Sequence, residues 1–163
     1  MFNIFKRKGK QQDDSPNISQ TNGQTSQQLL ELLVEHLKPV LKGFEYQSGQ
    51  TATSSGGSFA NGFFENEKIK IGLIFRGVNL GLVIYEVPQG NIGHDELFEL
   101  LSKDSNKKLF YDSDKFKCYA FQGNSVNDAL FSDLQNIVIP FVNETAAEEI
   151  KAMIQEAYKK RMA

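Results

Sequence analysis

The sequence of 163 residues has only one cysteine and two histidines. Cys118 alone cannot form an internal disulfide, and two histidines cannot by themselves build a histidine-based metal site. No apolar run approaches the roughly 18–20 residues that a membrane-spanning helix requires. We therefore expect no disulfide scaffold, no bound metal or other cofactor, and no membrane-spanning segment.

The sequence also lacks a large excess of positive or negative charge. The chain has 18 Lys and Arg against 20 Asp and Glu, a net charge of −2, whereas a nucleic-acid-binding domain usually presents a basic surface. We therefore expect no nucleic-acid partner. Hydrophobic residues make up 40% and charged residues 23%, which is typical of a globular protein of one domain.

The first 24 residues offer little that a core could bury. After Met1, the apolar and basic residues of this segment begin with Phe2, Ile4, Phe5, Lys6, Arg7, Lys8 and Lys10. A polar stretch rich in Gln, Ser, Asn and Thr follows, so we predict a disordered leader over residues 1–24 and a single domain over residues 25–163. The leader should be dispensable for folding.

The composition of the leader also bears on location. A secretory signal would place about 7–15 apolar residues after the basic ones, and none are present. We therefore expect a cytoplasmic protein, which also suits a single reduced thiol. Aromatic and basic side chains together favour a weak contact of the leader with an anionic membrane surface as an alternative role.

The first ordered element is predicted to be a helix. Thr25 and Gln28 have the spacing of a capping box, and Gly43 is a natural helix end. Leucines recur between them at helical intervals: Leu29, Leu30, Leu33, Leu37 and Leu41. The Gly, Ser and Thr residues at positions 47–57 then predict a polar loop.

Three strands are predicted at residues 58–64, 68–76 and 80–87, because these segments are rich in Ile, Phe, Val and Leu and are separated by short turns. A second hairpin is predicted from residues 109–111 and 115–121. Both sets of strands are connected by turns short enough to require antiparallel pairing.

Three further helices complete the prediction. A short amphipathic helix spans residues 94–101, a second follows the capping-box pair Ser125 and Asp128, and a last one begins after Asn143. The order is α-β-β-β-α-β-β-α-α. This is an α+β fold of one domain, with an antiparallel meander and a hairpin packed against helices.

A three-residue turn over positions 77–79 defines a strand register in which Arg76 faces Leu80. In this register one face of the hairpin is continuously apolar and consists of Ile69, Ile71, Leu73, Phe75, Gly81, Val83, Tyr85 and Val87. On the other face Lys70 lies opposite Glu86, an attractive cross-strand pair. A one-residue slip would exchange the two faces, so the three-residue turn is preferred.

The second face of this predicted sheet is also apolar, since it carries one of Phe63 or Phe64 besides several aliphatic residues. A solvated antiparallel face is normally polar, so something is expected to cover this one. The protein's own helix or tail is one alternative, and a partner or second subunit is the other. The candidate interaction surface consists of Ile74, Arg76, Leu80, Leu82 and Ile84.

His94, followed by Asp95 and Glu96, is the only group typical of acid–base chemistry. Acidic residues in a first helical turn are also favoured by the helix dipole, and no nucleophile lies in a recognisable strand–turn–helix elbow. We therefore assign no catalytic, cofactor-binding or metal-binding residue. The alternative is a small hydrolase or transferase that uses His94 and Arg76, together with Tyr85 and the loop at 54–57.

Residues 55–62 read Ser-Gly-Gly-Ser-Phe-Ala-Asn-Gly, and residues 80–85 read Leu-Gly-Leu-Val-Ile-Tyr. With the aromatic–Arg strand end at 75–76, they resemble an uncharacterised group of small bacterial proteins. The element order is also similar to that of type III secretion chaperones, small acidic cytosolic proteins that bind extended segments of a client. This resemblance of topology implies a chaperone-like role.

These observations predict a non-enzymatic cytosolic interaction module of a bacterium, of the immunity-inhibitor or chaperone kind. The expected partner is another protein or a second copy of the chain. No small-molecule substrate is evident.

Overall fold

The computed structural model describes residues 22–54, 57–77, 79–103 and 130–163. The leader before Asn22, Cys118 and the predicted hairpin at 109–121 lie outside these residues, as does the capping box at Ser125.

One helix, five consecutive strands and then further helices follow one another along the described chain. They are α1 (Asn22–Leu37), β1 (Glu45–Ser54), β2 (Gly57–Glu65), β3 (Lys70–Arg76), β4 (Asn79–Val87), β5 (Gly90–Gly93), α2 (His94–Ser102), α3 (Ile139–Glu144) and α4 (Ala147–Met162). Residues 130–133 are also helical, and a π-helical turn, Leu134–Val138, connects them to α3.

Helix α1 forms for the predicted reason, since its buried leucines and valine recur every three or four residues. It begins at Asn22, so Thr25 lies inside the helix and not at its N-cap. Ser26 fixes this end of the helix to the sheet, because its hydroxyl lies 2.7 Å from Ser58 Oγ and donates to the Gly77 carbonyl at 2.6 Å. Helix α1 ends at Leu37, six residues before the predicted end at Gly43. Gly43, with a φ of +85°, lies in the turn that leads to β1.

The five strands form one antiparallel meander in the order β1-β2-β3-β4-β5. The side chains of one face, which we call the inner face, belong to a single core cluster with those of the helices. Helix α1 packs across β1, β2 and β3, whereas α2 and α4 pack on β4 and β5. The predicted α+β class is confirmed.

The predicted β3–β4 register is confirmed from the Lys70–Glu86 pair to the Ile74–Leu82 pair, and it then shifts. Beyond Ile74, Phe75 pairs with Leu80, so Gly81 is the extra residue of a bulge. Arg76 accordingly pairs with Asn79 and not with Leu80, so the predicted three-residue turn is wrong.

Strand β1 occupies positions for which the sequence predicts a loop. It pairs with β2 from Glu45–Glu65 to Ser54–Gly57, with an irregularity between Ser48 and Thr51. An edge strand with exposed side chains has no apolar alternation, and its composition is therefore that of a loop. Strand β5 is the second addition to the predicted strands.

Candidate functional site

The face of the sheet opposite the core carries a second group of apolar side chains. Five of them, which we call the outer patch, are Phe59, Phe63, Ile74, Leu82 and Ile84. Leu82 is 43% exposed, and the other four are half-buried. None of the five belongs to the core cluster or packs against it, and the described helices contribute their buried side chains to that cluster.

Strand pairing brings the outer patch together. Ile74 pairs with Leu82 on β4, and one step along the strands Phe63 and Ile84 flank Gly72 in one cross-strand row. Phe59 pairs with Arg76 at the end of the sheet where β3 leads into β4, which we call the turn end. Residues of one face two positions apart along a strand are near neighbours, so the patch is continuous over three strands.

Gly72 produces a depression in this patch. A Cβ added there would have only the carbonyl oxygen and Cβ of Ile84 within 4 Å, at 3.7 and 3.9 Å. Gly72 contributes no side chain between Phe63 and Ile84, and a Cβ at this position would make only ordinary van der Waals contacts.

Charged residues border the patch at the end of the sheet that carries the β2–β3 and β4–β5 turns. Lys70 Nζ lies 3.9 Å from Glu86 and 4.1 Å from the centre of the Phe63 ring. On the same face Glu65 lies between Glu45 on β1 and Lys70 on β3, so that it is directly opposed by one like and one opposite charge. Neither of these two carboxylates forms an ion pair with a described lysine or arginine, and opposed like charges destabilise a sheet.

This acidic border continues into a groove of about 760 Å³, which we call the end groove. It lies beside the β2–β3 and β4–β5 turns, and its charged lining residues are Glu65, Glu67, Lys68, Lys70 and Glu86. Three carboxylates against two ammonium groups give the lining a net charge of −1. The Nζ of Lys68 donates to the carbonyl oxygens of Val142 at 2.7 Å and Thr145 at 2.9 Å.

The structure distributes the predicted surface residues over three places. Ile74, Leu82 and Ile84 lie together on the outer patch, and Arg76 is exposed at the turn end. The placement of Leu80 on this face is wrong: it is 2% exposed and belongs to the core. The bulge at Gly81 is the reason, because one extra residue reverses which side of the sheet the preceding side chain occupies.

His94 is buried in a hydrogen-bonded network. Its Nδ1 lies 2.7 Å from Tyr85 Oη, and its Nε2 lies 3.1 Å from Asp133 Oδ2. The other carboxylate oxygen of Asp133 is buried and has no hydrogen-bond partner among the described residues. Sequence reasoning missed Asp133, although a charged residue between Leu130 and Leu134 on an apolar helical stripe is a detectable signal.

His94 and Arg76 do not converge. Arg76 pairs with Asn79 at one end of β4, whereas Tyr85, which contacts His94, lies six residues further along that strand. Six residues of strand span about 20 Å. The hydrolase or transferase alternative requires both side chains in one pocket, and this separation gives it no support.

The described residues contain no group of three or more His, Cys, Asp or Glu side chains that could hold a metal ion. Within the same ranges no helix combines the length and apolar character needed to cross a bilayer. In comparisons with known proteins, no family model, curated protein or solved structure matches the chain.

Proposed function

We propose that this protein is a non-enzymatic interaction module that binds a partner protein through the outer patch. The observation that carries the proposal is the position of Phe63, Ile74, Leu82 and Ile84 on the face opposite the described helices. Contiguous exposed apolar surface on a soluble domain is typical of a protein–protein interaction site.

The shape of the patch favours a segment of a protein chain as the ligand. Because Gly72 contributes no side chain between Phe63 and Ile84, we expect a single apolar side chain of the ligand to insert there, and such an inserted anchor is how many protein interfaces gain most of their affinity. The resemblance to secretion chaperones supports a client segment in extended form. A bacterial, cytoplasmic setting is part of the same proposal.

Photocrosslinking in cells tests this function. A photoreactive phenylalanine analogue replaces Leu82 in one chain and Leu32 in another. Leu32 is the matched control, because it is an exposed leucine, 61% accessible, on α1 and away from the sheet face. We expect adducts to one discrete protein at position 82 and none to that protein at position 32.

A third chain tests the depression itself. Gly72→Leu fills the space between Phe63 and Ile84 while its Cβ makes only ordinary contacts, so it should fold and lose the adduct formed at position 82. Equal adducts from positions 82 and 32, or an adduct that survives Gly72→Leu, would contradict binding at the outer patch.

A further inference from the structure

The chain before Asn22 emerges at one end of the sheet on the inner-face side, where α1 packs, and it must pass round that end to reach the outer patch. Ser26, one turn into α1, is hydrogen-bonded to Ser58 at the start of β2 and to Gly77 after the end of β3. The N-terminus of α1 therefore lies at the turn end of the sheet. Phe59, the patch residue nearest this end, follows Ser58 directly.

The leader is long enough to reach any point of the outer face. Residues 11–21 separate the apolar and basic segment from α1, and eleven extended residues span at most about 36–40 Å. From Phe59 to Glu65 the outer face extends over six residues of β2, which is about 20 Å. The tether therefore permits residues 1–10 to cover the patch and to reach its acidic border.

The composition of the leader complements this face in both respects. Phe2, Ile4 and Phe5 provide apolar side chains that no core of the leader's own could bury, and four basic residues follow within five positions. The outer face has the same two components side by side: the apolar patch, and the directly opposed carboxylates Glu45 and Glu65 at its border, of which only Glu65 also lies opposite a lysine, Lys70. A cationic segment placed there would relieve the repulsion between these carboxylates.

We propose that residues 1–10 of the same chain occupy the outer patch when no partner is bound, with Phe2, Ile4 and Phe5 on the apolar side chains and the basic residues on the acidic border. This inference rests on the proposed function, since it makes the leader a competitor of the partner for one surface. The tether supplies an effective concentration on the order of millimolar, so even a weak contact is populated and a tight partner can still displace it.

The experiment uses the purified full-length chain with the photoreactive analogue at position 82 or, as control, at position 32. Adducts are mapped by mass spectrometry, and equal amounts of isotope-labelled and unlabelled chain are mixed before irradiation. We expect leader adducts from position 82 to exceed those from position 32 roughly tenfold, because the tether favours the docked state. The adducts should join residues of one chain and decrease in high salt, which screens the charged contacts.

Two leader variants identify the groups responsible. The double substitution Phe2→Ser and Phe5→Ser should abolish the adducts formed at position 82. Its matched control, Gln11→Ser with Gln12→Ser, changes two residues of the linker and should leave those adducts unchanged. The double substitution Glu45→Lys with Glu65→Lys should lower the yield of leader adducts. Adding Lys6→Glu and Lys8→Glu to that variant should restore the yield, because the charges are then complementary again.

Four results would overturn the inference. The first is adducts only between labelled and unlabelled chains, which would assign the patch to a second copy. The second is adducts from position 82 to residues 104–129, and the third is equal yields of leader adducts at positions 82 and 32. The fourth is an absence of leader adducts in a chain whose leader binds anionic phospholipid vesicles. The last result would assign the leader to a membrane surface.

The two proposals fail separately. Loss of leader adducts in the purified chain with a persistent partner adduct in cells removes the docked leader and leaves the interaction module. Leader adducts with no partner adduct at position 82 would leave an intramolecular cover and remove the proposed function.

Discussion

Tyr85 Oη and His94 Nδ1 lie 2.7 Å apart, and this contact connects the end of β4 to the first residue of α2. Through Nε2 the same imidazole reaches Asp133 on the helix that precedes the π-helical turn. All three side chains are buried. The network therefore joins three elements inside the core, and it explains His94 without an enzymatic reaction.

We predict that His94→Leu destabilises the protein by about 3 kcal/mol, because it leaves the buried Asp133 carboxylate without its hydrogen bond to the ring. The double substitution His94→Leu with Asp133→Leu should recover more than half of this loss, since it also removes the buried carboxyl group that lost its partner. Urea denaturation measures both free energies of unfolding. A double variant that loses the sum of the two single losses would contradict this account.

Because of the bulge at Gly81, truncation of two nearby leucines should lower the stability of the protein by different amounts. Leu80→Ala should cost about 2–4 kcal/mol, because Leu80 is a core residue, whereas Leu82→Ala should cost less than about 1 kcal/mol. The uninterrupted register would place both side chains on the outer face and give two similar, small losses. Urea denaturation of the two variants distinguishes these registers.

Tyr46 should make stability sensitive to alkaline pH. Burial, and to a lesser degree the nearby Glu31 carboxylate, raise the pKa of Tyr46 above its ordinary value of 10.0. A raised pKa in the folded state means that the full contribution to stability is present below pH 10.0 and is lost as the pH rises through the folded pKa. Above pH 10.0, the free energy of unfolding should fall more steeply with pH in the wild type than in Tyr46→Phe. Identical slopes would remove Tyr46 as a cause.

Deletion of residues 1–21 should leave the folded domain intact. The core cluster of the described residues joins α1 and the later helices to the sheet, and a docked leader that a partner can displace contributes less than about 1 kcal/mol, which corresponds to a few degrees in Tm for a domain of this size. Thermal unfolding followed by circular dichroism tests this. The deletion ends before Asn22 because α1 begins there. A large fall in Tm would show that the leader is part of the folded core.

The parts of the fold that could be predicted from the sequence are the strands in which apolar side chains alternate between the two faces of the sheet. From Lys70 to Ile74 one face of β3 is uniformly apolar, and only one register with β4 matches it. The sequence could not predict β1, whose exposed residues have the composition of a loop, nor the bulge, because Gly81 fits either side of a strand equally well. Asp133 was missed because its partner His94 is distant in sequence, and such a pair becomes visible only in the folded chain.

The most direct test of binding at the outer patch compares Leu82→Asp with Leu32→Asp. Both leucines are exposed, so both variants should remain folded by circular dichroism, with a loss of about 1 kcal/mol or less. Co-purification of the partner identified by crosslinking should be lost with Leu82→Asp and retained with Leu32→Asp. A folded Leu82→Asp chain that retains this partner would contradict the outer patch as the binding surface.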